Sequence, residues 1–404
     1  MSWKKISVSD IITTQKGFAF KSNMYVDFGV PIVRVSNFTS DSISDEDLKY
    51  YPMQEKKNYT DFILHEKDIL IQTVGSWQYN PASVVGKVVH VPCSLEGALL
   101  NQNAVKILPK QDVDKDYLYY RLRCDDFKDH VISEARGAAN QASITLDTIK
   151  SFEFIIPDYE QQCRIASMIS IYDNCIENNQ KQIRLLEEAA QRLYKEWFVD
   201  LRFPGHEKTP IVDGVPEGWK KGILKDIALD TGKRETKQNK YRYKYYLPID
   251  CLPKKSLSYL ESMDIGLAES SLVAFQKGDI LFGAMRPYFH KVAIARDSGL
   301  TRTTCFVINS KLEYMREYLI MLLFDSNTVD FATKISVGTT MPYARWNDFV
   351  RMEVKIPNEN ICAKFKEMVV PFIRKINVLA KAIISAKEAR DRLLPKLMSG
   401  EIEV

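Results

Sequence analysis

The sequence predicts an α/β protein with two similar globular domains, separated by two long helices that pair antiparallel as a coiled coil. One observation is an internal sequence repeat, in which segments similar to those of the first half reappear about 200 residues later. The other is that each copy ends in a proline followed by about 40 residues with helical spacing of apolar side chains. A repeat this long indicates duplicated domains, since solenoid repeats have periods of about 20–50 residues.

Four pairs of segments carry the repeat. They are MSWKKISVSDII (1–12) with VPEGWKKGILKDIA (215–228), KDILIQTVGS (67–76) with GDILFGAMRP (278–287), RGAANQASI (136–144) with VGTTMPYAR (337–345), and FIIP (154–157) with VKIP (354–357). The repeat predicts a first domain at 1–157, a central helix at 158–203, a second domain at 204–356 and a C-terminal helix at 357–404.

Each globular half mixes short strand-like runs with helical patterns, which is typical of an α/β domain with a curved or mixed sheet. Strands are expected at 31–35, 68–73, 84–91 and 104–108 in the first half, and at 279–282, 292–295 and 305–308 in the second. Helical patterns occupy 117–134 and 312–334.

The first long helix is predicted from Asp158 to about Phe198, a stretch without glycine or proline. Its apolar residues recur at alternating steps of four and three, the heptad pattern of a coiled coil. At about 1.5 Å per residue this helix would be roughly 60 Å long. The predicted pairing face consists of Ile165, Ile169, Tyr172, Ile176, Asn179, Ile183, Leu186, Ala190, Leu193 and Trp197. A polar residue such as Asn179 in this face typically fixes register.

The second long helix is predicted from about Asn358 to Met398. Its apolar face consists of Ile361, Phe365, Met368, Phe372, Ile376, Leu379, Ile383, Ala386, Leu393 and Leu397. Two successive four-residue steps around Pro371 indicate a stutter in the heptad repeat. Apolar stripes on helices this long need a partner, so we expect the two helices to pack on each other. The alternative is that each helix packs only on its own domain.

The composition, with 45% hydrophobic and 27% charged residues, is typical of a folded globular protein. We expect a cytoplasmic protein, because the chain has no apolar run of roughly 18 residues and its N-terminus has no signal-peptide core. The seven cysteines are scattered without a C-x-x-C pair and the five histidines are isolated. This pattern argues against a disulfide framework and against a metal site.

Catalytic motifs are missing from the sequence. It contains no G-x-x-x-x-G-K-[ST], no glycine-rich dinucleotide loop, no H-E-x-x-H and no G-x-S-x-G. Paired carboxylates such as Asp125 and Asp126 fall in amphipathic helical stretches, where a solvated face is the ordinary interpretation. We therefore expect no catalytic residue, no metal and no cofactor bound by this chain.

Polar residues cluster in corresponding predicted loops of the two copies. Asn and Gln side chains bind adenine edges, Arg binds guanine, and Thr reaches bases or phosphates. Two related domains that recognise different bases would have different polar residues in corresponding loops, as these two copies do. Each residue alone could be an ordinary solvated loop residue. The candidates for DNA contact are Asn101, Gln102, Asn103, Arg136, Asn140 and Gln141 in the first copy, and Arg286, Thr301, Arg302, Thr303, Thr304, Thr339, Thr340 and Arg345 in the second.

Charge supports this interpretation without requiring it. Residues 204–356 carry 23 Lys and Arg against 18 Asp and Glu, whereas residues 1–157 carry 18 against 20. The segment GKRETKQNKYRYKYY (232–246) interleaves basic residues with tyrosines, and its Arg234, Lys237 and Arg242 are further candidates for phosphate and base contacts. A clear electrostatic footprint would be a domain pI above about 9.

Three segments closely resemble the specificity subunits of type I restriction–modification systems. They are IIPDYEQQCRIASMISIYDNCIENNQKQIRLLEEAAQRLYKEWF (155–198), EARDRLLPKLMSGEIEV (388–404) and PEGWKKGILKDIA (216–228). The resemblance covers essentially the whole chain. The second copy of the first motif, IPNENICAKF (356–365), departs from the family by lacking the Glu-Gln pair, which bears on partner contacts there.

The resemblance implies a specificity factor, not an enzyme. Its two domains would be target recognition domains, each reading one half of a split, asymmetric double-stranded DNA target, and the helix pair would set the gap between the halves. Two modification subunits would dock on the helices and bring S-adenosylmethionine for adenine-N6 methylation. Restriction subunits, where present, would bring ATP and Mg for translocation and cleavage.

Other interpretations stay open at the level of sequence. An autonomous enzyme of two similar halves would need a catalytic motif that the sequence does not show. A coiled-coil scaffold with protein-binding ends would show no salt-dependent DNA binding. A specificity chain of a fused restriction–methylation enzyme would differ only in its partner.

Overall fold

The computed structural model describes residues 3–39, 42–77, 84–138 and 141–404. The chain divides into two compact units. The first comprises Met1–Asp173 and Glu388–Val404, and the second comprises Asn174–Lys387. Each unit therefore combines a globular domain with a segment of each long helix.

The first unit alternates short strands with short helices. Its elements are β1 Lys4–Ser7, α1 Val8–Ile11, β2 Ile12–Lys16, β3 Val30–Val33, β4 Lys49–Tyr51, β5 Ile69–Gln72, β6 Val74–Gly75, β7 Val88–His90, β8 Leu99–Leu100, β9 Ala104–Pro109, α2 Lys115–Arg121, α3 Asp125–Ser133, β10 Arg136–Ala138, β11 Gln141–Ser143, α4 Leu146–Lys150 and β12 Glu153–Ile156. The long helix α5, Tyr159–Tyr194, begins in this unit and continues into the second, where a π-helical turn, Lys195–Val199, follows it.

The second unit follows a similar order of elements. They are β13 Ile211–Val212, β14 Val215–Pro216, β15 Lys220–Ile223, α6 Leu224–Ile227, β16 Ala228–Asp230, β17 Lys233–Glu235, β18 Tyr245–Tyr246, β19 Leu272–Phe275, β20 Ile280–Gly283, β21 Val292–Ile294, β22 Gly299–Arg302, β23 Cys305–Ser310, α7 Arg316–Phe324, α8 Ser326–Lys334, α9 Trp346–Phe349 and β24 Glu353–Ile356. The order differs in an additional short hairpin, β13–β14, at the start of this unit and in having no strand between α8 and α9, a stretch that the structure describes throughout. The long helix α10, Glu359–Met398, begins here and ends in the first unit.

Sheet topology shows that the repeated sequence is a repeated fold. The antiparallel sheet β2–β9–β5–β7 of the first domain has its counterpart in the antiparallel sheet β16–β23–β20–β21 of the second. The short pair β1–β12 corresponds to β15–β24, and the parallel pair β3–β8 corresponds to β18–β22. The predicted fold class, α/β with two similar domains, is confirmed.

The central strands are buried on both faces because helices or loops cover the sheet from either side. All four residues of β5 and all four of β20 are buried. On one face of the first domain's sheet, Ile69, Ile71 and Val105 pack with α2 and α3; on the other, Leu70 and Val89 form a second core. The sheets thus hold each domain's loops on a rigid base.

Each predicted helical stretch at 117–134 and 312–334 is two helices. In the second domain the break lies at Asp325, whose carboxylate accepts a hydrogen bond from the Asn327 N–H and caps α8. In the first domain α2 ends at Arg121 and α3 begins at Asp125. Aspartate at a helix start stabilises a new N-terminus. The backbone can therefore turn there although the helical spacing of apolar residues continues in the sequence.

Within the first unit, α5 and α10 run antiparallel. Ile165 and Ile169 of α5 are fully buried in one core with Leu394 and Leu397 of α10. Further along α5, Asp173 accepts hydrogen bonds from Arg390 Nη1 (2.7 Å) and from the Tyr120 hydroxyl (2.8 Å). Later residues of α5 therefore meet earlier residues of α10.

Within the second unit the same two helices also pack antiparallel. Ile176 and Ile183 share a core with Ile376, Leu379 and Ile383. Further along α5, the Trp197 ring lies 5.8 Å from that of Phe365. Among the other residues of the predicted pairing face, Asn179 and Ala190 are buried, whereas Tyr172, Leu186, Leu193 and Leu393 are partly buried.

The prediction for Met368 is wrong. Its side chain is 46% exposed, and Val369 and Ile373 are buried instead. This part of α10 packs against the core of the second domain, which includes Phe349, as well as against Trp197. The buried face of α10 is turned toward that larger core. The buried positions in this part of the helix are therefore one residue later than the heptad pattern predicts.

Glu187 ties α5 to the second domain through a buried carboxylate. Its Oε1 accepts hydrogen bonds from the Ser256 hydroxyl (2.8 Å) and from the Leu257 N–H (2.7 Å). Burial raises the pKa of Glu187 to about 7, although these two hydrogen bonds favour the charged form. The folded protein thus holds a proton on Glu187 at pH values where the unfolded chain has lost it.

Glu187→Gln should therefore flatten the pH dependence of stability. The contribution of Glu187 to the wild-type free energy of unfolding falls as pH rises from about 4.5 to about 7, because ionising the buried carboxyl costs more than ionising it in water. Gln keeps the oxygen acceptor without ionising, so its stability relative to wild type should increase by about 2–3 kcal/mol between pH 5 and pH 8. Urea unfolding at both pH values measures this, and an identical pH dependence in the two proteins would contradict the assignment.

Candidate functional site

Three segments converge beside the central strand of the first domain. They are the end of β5, the turn between β8 and β9, and the hairpin β10–β11. The Thr73 N–H and hydroxyl both donate to the Asn103 carbonyl (2.9 Å each), and the Ile144 N–H donates to the Thr73 carbonyl (3.0 Å). Gly75 of β6 pairs with Ala142 of β11. The turn and the hairpin are thus fixed to one strand end. We call this set of three segments, the strand end, the turn and the hairpin, the framework.

This arrangement brings together the polar residues predicted for the first domain. Gln102, Arg136 and Gln141 are exposed, and Asn101 and Asn103 are partly buried. Asn140 lies outside the described residues. The exposed amide and guanidinium groups form a surface that could hydrogen-bond with base edges or phosphates.

The corresponding segments converge in the second domain. The N–H groups of Ala284 and Met285 donate to the Thr304 carbonyl (2.9 and 3.2 Å), and the Tyr343 hydroxyl donates to the Thr303 carbonyl (3.1 Å). Val337 and Tyr343 exchange two backbone hydrogen bonds of 3.0 Å, which close the hairpin 337–343. The same framework therefore recurs with different side chains.

Arg286 joins the strand end to this hairpin. Its N–H donates to the Pro342 carbonyl (2.7 Å) and its Nη2 donates to the Thr340 carbonyl (3.1 Å). Thr339 and Thr340 are exposed at the hairpin, and Thr303, Thr304 and Arg286 are partly buried around it. Arg345 is exposed just beyond the hairpin, at the start of α9.

The prediction of a DNA contact at Thr301 is wrong for the domain as it is folded. Thr301 is fully buried on β22, where it pairs with Val273 of β19. Successive side chains on a strand point to opposite faces, and the next residue, Arg302, is exposed. Polarity alone therefore misassigned one residue of the cluster.

The basic segment lies on a neighbouring sheet, β17–β19–β22–β18. Arg234 of β17 and Arg302 of β22 are both exposed and belong to strands on either side of β19. Arg242 is exposed on the short 3-10 helix Lys237–Arg242. Arg302 thus connects the basic sheet to the turn at Thr303.

Lys237 and Lys240 of this segment already have partners in the protein. Lys237 is exposed and forms an ion pair with Glu269, and the ammonium group lowers the pKa of that carboxyl. Lys240 is buried, and its Nζ donates to the carbonyls of Gly266 (2.6 Å) and Ala268 (3.1 Å). Lys240 therefore anchors the segment, and a phosphate would have to compete with Glu269 for Lys237.

Sequence reasoning missed two residues that build the site. Thr73 holds the first domain's turn and hairpin together, and Tyr343 does the same in the second domain through Thr303. Both lie within the repeated segments 67–76 and 337–345, which is the signal that could have found them. Each acts on the framework through main-chain carbonyls.

In residues 3–39, 42–77, 84–138 and 141–404, no group of three His, Cys, Asp or Glu residues is arranged to hold a metal ion. Across the same ranges, no helix combines the length and the apolar character needed to cross a membrane.

Known proteins are similar to this chain in sequence and in fold. A family model described as the type I restriction modification DNA specificity domain matches residues 1–188. The MjaIX specificity subunit of Methanocaldococcus jannaschii is 27% identical over 88% of this chain and 84% of that protein. The HindI specificity subunit of Haemophilus influenzae is 24% identical over 99% of both chains.

A solved structure agrees on the fold. The crystal structure of a type I restriction–modification S subunit from M. genitalium superposes with a TM-score of 0.55 at 15% identity, covering 98% of this chain and 96% of that one. In sequence, the chain is thus similar over most of its length to specificity subunits of type I restriction enzymes, and its residues 1–188 match the DNA specificity domain of such systems. The two convergent clusters are candidate DNA-contacting surfaces, because their exposed amide, guanidinium and hydroxyl groups suit base edges and phosphates.

Arg302→Ala and Thr301→Val form a matched test of the second cluster. If Arg302 contacts a base, its removal should weaken DNA binding by about 1–3 kcal/mol. Thr301→Val should leave binding unchanged, because the buried side chain keeps its volume and reaches no ligand. Fluorescence anisotropy with a labelled target duplex measures both. A loss of affinity in the Thr301 variant, with the fold intact, would restore Thr301 as a contact.

Proposed function

We propose that this chain is the specificity subunit of a type I restriction–modification system, which reads a bipartite, asymmetric DNA target and directs its partners to it. One domain would read each half-site, the modification subunits would methylate adenine at N6, and restriction subunits, where present, would cleave the DNA. The observation that supports this most directly is the shared framework of the two domains, in which a strand end, a turn and a hairpin converge in both.

The side chains on that framework differ in the way that two readers of different sequences require. The first domain presents Gln102, Arg136 and Gln141, whereas the second presents Arg302, Thr340 and Arg345. Amides suit adenine, guanidinium groups suit guanine or phosphate, and threonine suits several partners. Similar frames with unlike side chains favour a target with two unlike halves.

In this arrangement, target recognition would belong to residues 1–157 and 204–356, and the gap would be set by the helices at 158–203 and 357–404. Supporting this, α5 and α10 pair through apolar faces within each unit, which gives a stiff element. A helix of 36 residues is about 54 Å long, more than one DNA turn of about 34–36 Å.

Catalysis would belong to the partners. The relatives are named as specificity subunits of type I restriction enzymes, and this chain lacks the motifs of nucleotide, metal and acyl-transfer enzymes. Modification subunits would supply S-adenosylmethionine, and restriction subunits would supply ATP and Mg. The target adenine would be flipped into a modification subunit, with unstacking partly offset by DNA contacts of both recognition domains.

Co-expression tests the proposal as a whole. The chain is produced with the modification subunit encoded beside it in a host without adenine methylation, and the host genome is sequenced for N6-methyladenine. We expect one motif with two short blocks around a fixed gap. The modification subunit alone should produce no such motif. A stable, correctly folded complex that methylates no motif, or a single undivided block, would contradict the proposal.

A further inference from the structure

Arg286 has a backbone conformation that its sequence disfavours. Its φ of 50° and ψ of 59° lie in the left-handed region, which residues with a Cβ rarely adopt. Pro287 follows it, and a residue before proline favours an extended conformation. A conformation disfavoured in both ways persists only where its surroundings fix it, and such positions cluster at ligand-binding sites.

Three hydrogen bonds fix Arg286 in this conformation. Its N–H donates to the Pro342 carbonyl (2.7 Å), and its own carbonyl accepts from the Phe289 N–H (3.0 Å). Its Nη2 donates to the Thr340 carbonyl (3.1 Å), which fastens the guanidinium to the hairpin 337–343. The side chain is therefore presented from a fixed place beside the turn at Thr303.

Most N–H donors of the Arg286 guanidinium have no acceptor among the described residues. The guanidinium carries five N–H donors, and the Thr340 carbonyl accepts one of them. In the part of the chain that the structure describes, no carboxylate forms an ion pair with Arg286, and its buried Nε has no acceptor. By contrast, Arg121 has a bidentate partner in Asp126. Within the described ranges, Arg286 thus lacks the carboxylate partner that Arg121 has.

The first domain has no side chain at the corresponding place. In the repeated segments 67–76 and 278–287, Gly75 aligns with Arg286. Gly75 pairs with Ala142 of the first hairpin, and Arg286 bonds to the second hairpin. In both domains, this position therefore contacts the hairpin of the same domain. Only the second domain has a guanidinium group there.

We propose that Arg286 is a specificity-determining residue that binds a guanine in the half-site of the second domain. The inference rests on the proposed function. Guanine offers O6 and N7 as paired acceptors in the major groove, and an arginine fork matches them better than any other side chain. The rigid presentation of Arg286 favours such a geometric contact over a contact with the flexible phosphate backbone.

Arg286→Gly provides the sharpest test, because glycine accepts the left-handed backbone and copies the first domain. Complexes carrying each variant are co-expressed with the modification subunit, and the N6-methyladenine motif is read from the host genome. We expect one guanine position of one block to become degenerate while the other block and the gap stay unchanged. Affinity for the wild-type duplex should fall about 5- to 150-fold, with no fall in melting temperature.

Two further variants separate base reading from charge. Arg286→Lys keeps the charge without the fork, so it should also lose the guanine preference. Arg351→Ala removes an exposed arginine elsewhere in the same domain and should keep the full motif. An unchanged motif in Arg286→Gly, retained specificity in Arg286→Lys, or an equal loss of affinity for all sequences would overturn the inference. If the wild-type complex yields no motif, the proposed function itself fails.

Discussion

The structure depends on burying two apolar stripes that no single domain covers in full. On α5 the stripe includes Ile165, Ile169, Ile176 and Ile183, and burying these four side chains contributes about 6–12 kcal/mol. That is comparable to the net stability of a whole domain, about 5–15 kcal/mol. In both units the same partner, α10, covers the stripe together with the domain core.

Polar groups refine this packing at a few points. Asp173 joins Arg390 of α10 to Tyr120 of the first domain, and Glu187 joins α5 to Ser256 of the second. Each of these buried or half-buried groups must find its partner in one register, since a lost partner leaves an unpaired polar group. The apolar stripe brings the helices together, and these contacts select how they fit.

The repeat made most of the fold predictable from sequence. Four pairs of short segments were enough to predict two like domains, because each pair falls on strands, hairpins or helix starts that recur in space. Helix breaks were harder, since an aspartate cap such as Asp325 changes the direction of the backbone without interrupting the apolar period. Met368 was misplaced because a domain core, not a heptad, fixes the buried face there.

The candidate site was predictable as a set of loops but not residue by residue. Thr301 and Lys240 are polar in sequence yet buried, because strand alternation and carbonyl partners decide their direction. The contact between Arg286 and the hairpin depends on a left-handed backbone that neither Arg nor a following Pro favours. The local sequence therefore disfavours the backbone conformation that the tertiary contacts stabilise.

The proposed role of the helix pair, which is to set the gap between two half-sites, is tested most directly by measuring that gap in the target. Four residues inserted after Asn179 add a stutter, which preserves an apolar seam with local unwinding. They lengthen the helix by about 6 Å, or at most about two base pairs of DNA. Sequencing the N6-methyladenine of a host that expresses this variant with the modification subunit should show a longer gap between two unchanged blocks. An unchanged gap, or altered blocks at the original spacing, would contradict the proposed role.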